Sequence, residues 1–408
     1  MSLPEPSGSM PLSPARPKLR IAVFNRTFSP TGGGAERYSI ALVEQLAARH
    51  EIHVFAQKID HQWPGVSYHR VSRPFLKPRW VNQLWFATAT WWATRQGYDV
   101  VHSHENTWHG DVQTAHVLPV KYNLFHAVVG WQRVLRCIKV GTSPRLLTYL
   151  VLERARYAAC LGRRLVVTSD SLRAIMQESY PASSVMTSVI TPGITMPVQS
   201  ATPARKQKAR ALLGLPPDGF CLLFVGNDYR KKGLNALLTA MAQLPDDTLL
   251  AVVGNPAHVP AFRAQAAALN LSGRVFFLGS LTDVAPAYEA ADGLVHPTLE
   301  DTFAMVVLEA MSHGLPVVVS GPKYCGISGS LQDGVNAIIL DDPQNIKSLA
   351  HTLRELIGSK SLQQTLLTGA LSFARHYEWK ALAGEQEALY VSVSSEKRQS
   401  AQDARTNR

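Results

Sequence analysis

Short apolar stretches alternate with longer amphipathic stretches along most of the chain, and this alternation predicts its fold. In the first half, strands are predicted at 19–24, 53–57, 98–103, 164–169 and 187–192, and helices at 35–49 and, rich in tryptophan, at 80–96. The second half repeats the pattern, with strands predicted at 220–226, 248–254, 275–279, 293–297 and 315–321. Strands that alternate with helices are typical of parallel sheets covered by helices on both faces, so an α/β fold is predicted.

A Pro/Ala/Lys-rich stretch at about 195–210 separates the two halves. A chain of 408 residues is also too long for one ordinary hydrophobic core. The pattern therefore predicts two Rossmann-like, doubly wound domains at 19–194 and 195–375, with disordered tails at 1–18 and 396–408. Because such sheets bind ligands beyond the carboxyl ends of their strands, the expected site is a cleft between the domains.

The chain carries a formal net charge of +11, and this charge limits the kinds of partner that are expected. A positive surface favours an anionic partner such as nucleic acid, an acidic lipid surface or a phosphorylated substrate. The sequence has no zinc-ligand spacing, no RNA-binding aromatic motif and no basic helix, so nucleic acid is not predicted as a partner.

The sequence predicts a cytoplasmic protein. Near the N-terminus there is no apolar segment typical of a signal peptide, and the longest weakly polar stretch, 84–94, falls short of the ~20 residues that cross a bilayer. The four cysteines are scattered without redox or metal-ligand spacing, which is typical of reduced thiols.

Three segments between a predicted strand and a predicted helix carry candidate chemistry. The first contains Gly32, Gly33 and Gly34. Glycines let a ligand approach the backbone, and the free N–H groups at a helix start suit a phosphate. A tight turn without a ligand is an equally good interpretation. A dinucleotide fingerprint is not predicted, because Arg37 occupies the place of its third glycine.

The second segment, 226–233, places Arg230, Lys231 and Lys232 just before a helix predicted from Leu234. Cations at a helix N-terminus are unfavourable, and an anionic ligand would remove that conflict. We therefore favour phosphate binding over a solvated basic loop.

The third segment, 296–310, leads from a strand into a helix predicted to begin near Thr302, with Asp301 or Thr302 as its cap. The first N–H groups of that helix can face a diphosphate or a sugar hydroxyl. Glu309 lies about two turns further among apolar residues, where a carboxylate needs a partner. A ribose diol could be that partner of Glu309. Alternatively, the carboxylate is exposed to solvent or forms an internal salt bridge.

These segments resemble those of glycosyltransferase family 4, whose members are retaining enzymes with the GT-B fold, in which two Rossmann-like domains face each other across a cleft. The likeness covers about 19–390, with 191–194 at the linker strand and 301–318 at the most specific signature. A last helix, assigned to 376–395, crosses back to the N-terminal domain in this family. Because Asn227 precedes a shifted basic run, the chain most resembles the family members that glucosylate the lipopolysaccharide core.

The resemblance implies a nucleoside diphosphate sugar as donor, with a UDP-sugar favoured, and a catalytic cycle without cofactor or metal ion. Attack on the same face would retain the anomeric configuration, and the leaving phosphate would remove the proton of the acceptor. The implied donor-binding residues are Gly33, Gly34, Lys231, Thr302, Phe303, Ala304 and Glu309, and the implied catalytic residues are Arg230, Lys232, Asp301 and His116.

The signature departs from the family pattern at the donor sugar. The family has two glutamates separated by seven residues, and this chain has Asp301 and Glu309 at the two positions. Aspartate is shorter by one methylene, so Glu300 is an alternative for the first carboxylate. A different donor sugar is the other explanation of this departure. Thr302 and Ala304 stand where glycines are common in the family, and their side chains would narrow the pocket near the donor sugar.

Region 121–156 combines cations with interleaved apolar residues, with Glu153 as its one acid. Such a surface suits an anionic bilayer, although these apolar residues could equally form the domain core. The resemblance favours the membrane-binding surface and implies a glycolipid acceptor at the inner face of the inner membrane.

Two other functions remain open at the sequence level. One is a family 4 transferase for O-antigen, capsule or a soluble acceptor that uses GDP-mannose or another donor. The other is a non-catalytic two-domain ligand-binding protein, although such proteins are usually exported.

Overall fold

The structure is a computed structural model that describes residues 17–30, 33–75, 77–126, 128–197 and 202–406. All but the last two residues of the tail predicted at 1–18 lie outside the described residues, as does Gly32. The fold and the cleft described below refer to these residues.

The described residues of the first half form an α/β unit. Its strands are β1 (Arg20–Phe24), β2 (Thr27–Phe28), β3 (Glu51–Ala56), β4 (Lys58–Ile59), β5 (Val66–Arg70), β6 (Val100–Ser103), β7 (Val112–Ala115), β8 (Arg164–Val167) and β9 (Thr187–Val189). Seven of these strands form a parallel sheet in the order β5-β3-β1-β6-β7-β8-β9, and β2 pairs with β4. The helices are α1 (Gly34–Leu46), α2 (Arg79–Thr94), α3 (Val120–Phe125), α4 (Gly130–Gly141), α5 (Pro144–Arg156) and α6 (Asp170–Ser179).

Residues 202–375 form a second α/β unit. It consists of α7 (Pro203–Leu212), β10 (Cys221–Val225), α8 (Leu234–Met241), β11 (Leu249–Val253), α9 (Val259–Ala268), β12 (Val275–Gly279), α10 (Ala285–Ala290), β13 (Gly293–His296), α11 (Met305–Ser312), β14 (Val317–Ser320), β15 (Ile338–Leu340), α12 (Ile346–Gly358) and α13 (Lys360–Arg375). The six described strands are parallel, in the order β12-β11-β10-β13-β14-β15.

Both sheets have the doubly wound order that the sequence predicts. The chain starts in the middle of each sheet, builds outwards in one direction, and then returns to build in the other, so the order reverses between β1 and β6 and between β10 and β13. All five residues of β10 are buried, because helices cover the sheet on both sides. In such sheets the ligand crevice lies at the carboxyl ends of the strands where the order reverses.

The two units are joined where the chain crosses between them. The N–H of Ile194 donates to the carbonyl of Tyr377 at 2.7 Å, and the N–H of Trp379 donates to the carbonyl of Ile194 at 3.1 Å. A Cβ atom on Gly193 would lie 2.6 Å from the Trp379 ring, so only glycine allows this close approach.

The last helix, α14 (Trp379–Thr406), packs onto the N-terminal unit. Its apolar side contributes Trp379, Ala383, Tyr390 and Val393 to the core formed with β1 and α1. The helix extends beyond the predicted end at 395, and 396–406 is helical instead of disordered. At the start of this extension, ion pairs join the helix to the N-terminal unit, formed by Glu396 with Arg164, Lys397 with Asp111 and Arg398 with Asp99.

Candidate functional site

A cleft of about 890 Å³ lies between the two units, within the size range of small-molecule sites. It is lined from one side by the start of α1 and by His116, which follows β7. From the other side it is lined by the loops that follow β10, β12 and β13 and by the start of α11. The expected position at the carboxyl ends of the strands is therefore confirmed for these loops.

The segment that follows β13 is held by its own carboxylate. Oδ1 of Asp301 accepts hydrogen bonds from the N–H groups of Phe303 and Ala304, at 3.3 and 2.8 Å. Ala304 has a φ of 71°, in the left-handed region, and α11 begins only at Met305. The helix thus begins three residues later than predicted, and Asp301 itself binds the N–H groups of Phe303 and Ala304, two residues predicted to bind the donor.

Asp301 is also the centre of a charged cluster. Its Oδ2 lies 2.6 Å from Nζ of Lys232 and 3.2 Å from Nε2 of His296. Burial alone would raise the pKa of the Asp301 carboxyl, but the His296 hydrogen bond and the Lys232 charge together hold that pKa well below its usual range. Asp301 is therefore a carboxylate at neutral pH, and Lys232 is fixed at the wall of the cleft.

The three adjacent cations of the basic loop have different surroundings. Lys232 lines the cleft, and its Nζ also donates to the carbonyl of Glu300 at 3.0 Å. Neither Arg230 nor Lys231 is among the described residues that line the cleft. Arg230 is exposed, and Lys231 pairs at 3.0 Å with the carboxylate of Glu300, which is partly exposed and lines the cleft. Of the three cations predicted to bind a diphosphate, the structure therefore places Lys232 alone at the wall of the cleft.

The turn that contains these cations requires glycine at its end. Gly233 has a φ of 81°, and a Cβ atom there would lie 1.9 Å from the carbonyl oxygen of Pro297. This contact holds the basic loop against the loop that follows β13. It explains how Lys232 and Asp301, which lie 69 residues apart, come within ion-pair distance.

Glu309 lies on α11 with both carboxylate oxygens engaged. Oε2 accepts a hydrogen bond from the Tyr288 hydroxyl at 2.6 Å, and Oε1 lies 2.8 Å from Nη1 of Arg37. Burial chiefly raises the pKa of Tyr288, and the neighbouring Glu309 charge raises it further, so the hydroxyl stays protonated as a donor. The internal salt bridge is thus the partner that is observed for Glu309, and it crosses from one unit to the other.

The glycine loop faces the start of α11 across the cleft. Gly33 precedes α1 and Gly34 is its first residue, and both line the cleft. The nearest atom to a Cβ built on Gly34 is Cγ of Met305, at 3.8 Å. The N-termini of α1 and α11 therefore point into the same space, with the partial positive charge of two helix dipoles.

His116 lines the cleft as a neutral imidazole. Its Nε2 lies 2.8 Å from Nδ1 of His104, and its ring packs edge-on against Tyr38. Burial lowers the pKa of His116 to about 3, with a smaller contribution from the Arg156 charge. A neutral ring can bind a hydroxyl but supplies no positive charge at neutral pH.

Two hydrogen bonds of Thr302 connect the units close to His116. Its hydroxyl donates to the carbonyl of His116 at 2.7 Å, and its own carbonyl accepts from the Ser169 hydroxyl at 2.7 Å. The Thr302 hydroxyl therefore uses its donor within the protein, while its oxygen can still accept a hydrogen bond. Its role as a ligand of the donor stays a prediction.

The structure therefore brings most of the predicted site residues together. Cleft-lining positions are occupied by Gly33, Gly34, His116, Lys232, Asp301, Thr302, Phe303, Ala304 and Glu309. Sequence reasoning missed Arg37, Tyr288 and His296 as partners of the two carboxylates. Tyr288 lies in no local motif, His296 only opens the third segment at the end of a predicted strand, and Arg37 is notable in the sequence only as a departure from another motif.

A second surface lies on the helical layer of the N-terminal unit. Residues 131–139 of α4 are all exposed, so they do not form the domain core. Four large apolar side chains on one face are exposed by 53–70%, namely Trp131, Val134, Leu135 and Ile138. Arg133 and Arg136 lie on the opposite, polar face, and Lys139 lies between the two faces.

Not every cation predicted for this surface lies on it. Arg156 is buried, where its guanidinium donates to the side chain of Gln113 and the carbonyl of Thr114. Glu153 is also buried, and its carboxylate accepts from the N–H groups of Val120 and Lys121. Because Glu153 is buried, its carboxylate does not offset the positive charge of the exposed cations of α4 and α5. No helix among the described residues has the length and apolar character that a bilayer span requires.

Two family models match this chain. The model for Glycosyltransferase Family 4 matches 32–196, and the model for Glycosyl transferases group 1 matches 205–370. Together they cover both units and meet at the linker between them.

Among curated proteins, the lipopolysaccharide glucosyltransferase WaaG of Escherichia coli is 28% identical over 241 residues, 58% of this chain. That match spans 63% of the length of WaaG. A D-inositol 3-phosphate glycosyltransferase of Streptomyces bingchenggensis is 27% identical over 92% of this chain and 90% of its own length.

Solved structures show the same fold. The crystal structure of WaaG superposes with a TM-score of 0.78 at 23% identity, covering 91% of this chain and 99% of that one. Anabaena HepE in complex with UDP and glucose superposes with a TM-score of 0.71 at 19% identity, covering 92% and 100%. The family models, the two sheets and the cleft between them lead to one conclusion: the chain belongs to glycosyltransferase family 4 and is a glycosyltransferase with the GT-B fold.

Proposed function

We propose that this enzyme transfers a hexose from a UDP-sugar to a glycolipid acceptor, with retention of the anomeric configuration. The observation that carries the donor assignment is the arrangement of Lys232 and Glu309 on one wall of the cleft, beside the N-terminus of α11. A cation and free N–H groups suit a diphosphate, and a carboxylate suits a ribose diol. HepE, which has the same fold, was crystallised with UDP and glucose, and this supports uridine as the base.

In this proposal the protein contributes positioning and charge rather than a nucleophile. Lys232 neutralises the diphosphate, where negative charge develops as the bond to the sugar breaks. The leaving phosphate removes the proton of the acceptor hydroxyl on the same face of the sugar, and no metal ion is required. Neutral His116 offers a hydrogen bond to the sugar, and the loop fixed by Asp301 shapes its pocket.

A thermal-shift panel of nucleotide sugars tests the donor. A ligand that binds only the folded protein stabilises it by about 2.7 kcal/mol at a concentration 100 times its Kd. We expect UDP and UDP-sugars to raise the melting temperature by several degrees, and CMP- and ADP-linked sugars to leave it unchanged. A shift with GDP-mannose alone would favour the alternative donor. A cooperative melt that no nucleotide moves would contradict the proposed donor site.

The acceptor assignment rests on α4. An exposed amphipathic helix with an apolar face and cations on its polar face binds anionic bilayers through both features. WaaG is named for a lipopolysaccharide substrate, which supports a lipid-linked acceptor. The inositol phosphate transferases among the relatives support a soluble, phosphorylated acceptor instead. The exposed face of α4 favours the lipid-linked acceptor and a location at the inner membrane face.

We expect the purified enzyme to co-sediment with vesicles that contain anionic phospholipid and not with neutral vesicles. The Trp131→Ala/Ile138→Ala variant should bind anionic vesicles at least about tenfold more weakly, because two large apolar side chains leave the bilayer-facing side. Trp63→Ala is the matched control, since Trp63 is also exposed but lies outside α4. Equal binding by both variants would contradict a membrane role for α4 and favour a soluble acceptor.

A further inference from the structure

Arg37 reaches the donor side of the cleft from the opposite unit. It lies in the first turn of α1, next to the glycine loop. Its Nη1 atom pairs with Oε1 of Glu309 at 2.8 Å, while Tyr288 occupies the other oxygen. Glu309, the residue that we assign to the ribose, is thus already in contact with the N-terminal unit.

The guanidinium has donor capacity that the protein does not use. Its Nε atom is buried, and among the described residues it has no hydrogen-bond partner. A buried cationic N–H without an acceptor is costly, whereas a charge-assisted hydrogen bond to a ligand oxygen is strongly favourable. Since Arg37 lines the cleft, the missing acceptor can come from a molecule bound there.

The residues around Arg37 favour an anionic or hydroxylated ligand. The Glu309 charge chiefly raises the pKa of Arg37 against the effect of burial, so the guanidinium remains charged. Glu309 has accepting lone pairs left on both oxygens, because a carboxylate offers about four sites. A ribose diol can therefore donate to Glu309 without displacing Arg37, and a ligand oxygen can then lie next to Nε.

We propose that Arg37 is a donor-binding residue of the N-terminal domain, which donates through Nε to an oxygen of the nucleotide while Nη1 keeps its pair with Glu309. This inference rests on the proposed function, because it takes the ligand of Glu309 to be a nucleotide. It adds a contact from the unit that otherwise binds the acceptor. Donor binding is thereby coupled to the closed arrangement of the two domains, since the same side chain contacts both the nucleotide and Glu309.

Titration calorimetry with UDP and GDP tests this assignment. The loss of one charge-assisted hydrogen bond in Arg37→Met should weaken UDP binding by about tenfold to a hundredfold. Arg37→Lys, which keeps the charge but loses the second donor, should be intermediate. Arg26→Met is the matched control, because Arg26 pairs with Glu105 inside the N-terminal unit and does not line the cleft.

A second comparison separates direct contact from an effect through Glu309. In the Glu309→Gln background, Arg37→Met should weaken UDP binding further if Arg37 touches the nucleotide. No further loss would show that Arg37 acts only on Glu309 and would overturn the inference, as would an unchanged Kd in the single variant. If the wild-type enzyme binds neither UDP nor GDP, the proposed function fails and the inference fails with it.

Discussion

Replacement of Lys232 by methionine is expected to lower kcat by about 10²- to 10³-fold, the range found when one preorganised group that stabilises developing charge is removed. Lys232 fits this role because its Nζ is fixed by Asp301 at 2.6 Å and by the carbonyl of Glu300 at 3.0 Å. A cation held in place before the reaction needs no reorganisation when the leaving phosphate becomes charged. Methionine is also unbranched and only one atom shorter, and it removes the charge and the hydrogen-bond donors, including the partner of Asp301.

The neighbouring lysine provides the matched control. Lys231 has the same chemistry one residue earlier, but it pairs with Glu300 at the surface and does not line the cleft. We therefore expect Lys231→Met to retain kcat within about threefold of the wild-type value, since exposed ion pairs contribute little. Steady-state kinetics with the donor identified by the panel measures both variants. An equal loss of kcat in the two variants would contradict the assignment of the diphosphate to Lys232.

The alternation of apolar and polar stretches was sufficient to predict the two doubly wound sheets. Parallel strands that are buried on both faces, such as β10, consist of continuous apolar residues and are recognisable without an alignment. The strand β7 was not predicted, because its central residues Gln113 and Thr114 are polar. Both are buried inside the sheet, where Arg156 and His102 are their hydrogen-bond partners. Long-range hydrogen bonds of this kind leave no periodic signal in the sequence.

The candidate site shows the same division between local and long-range information. Lys232, Asp301 and Glu309 were predicted because each lies in a loop or helix with its own local signature. Arg37 and Tyr288 were not predicted, because their role depends on contacts with Glu309, which is distant from both in sequence. Arg37 lies 272 positions before Glu309, and Tyr288 lies 21 positions before it. The left-handed backbone of Ala304, which delays α11, was also invisible, since alanine is not a residue that favours this conformation.

The end of the chain illustrates how tertiary contacts override composition. Residues 396–408 are polar and suggested disorder, whereas α14 continues to Thr406 along the N-terminal unit. The ion pairs of Lys397 with Asp111 and of Arg398 with Asp99 join residues nearly 300 positions apart. The same helix carries Tyr390, whose hydroxyl lies 2.5 Å from Nδ1 of His102 in the strand that precedes His104. α14 thus supports the wall of the cleft that holds His116.

Replacement of Glu309 by alanine is expected to weaken donor binding by about 10²-fold or more, with a smaller effect on kcat. Two hydroxyl groups of a ribose would lose a charged acceptor, and hydrogen bonds to charged groups contribute about 1.5–3 kcal/mol each. Glu309 lies about one turn into α11, beyond the loop that shapes the sugar pocket. We therefore expect its interaction with the ribose to be made equally in the ground and transition states. Such a loss raises KM and leaves kcat nearly unchanged, in contrast to the result expected for Lys232.

The salt bridge with Arg37 makes a purely structural role the competing explanation for Glu309. If the carboxylate served only to hold the two domains together, its removal would lower the melting temperature while the folded variant kept its affinity for UDP. Glu289→Ala is the control for that loss of stability, because Glu289 pairs with Arg205 in the same domain outside the cleft. Calorimetric titration of both folded variants with UDP separates the two roles. A wild-type Kd in Glu309→Ala would contradict the ribose assignment and with it the orientation of the donor along the C-terminal domain.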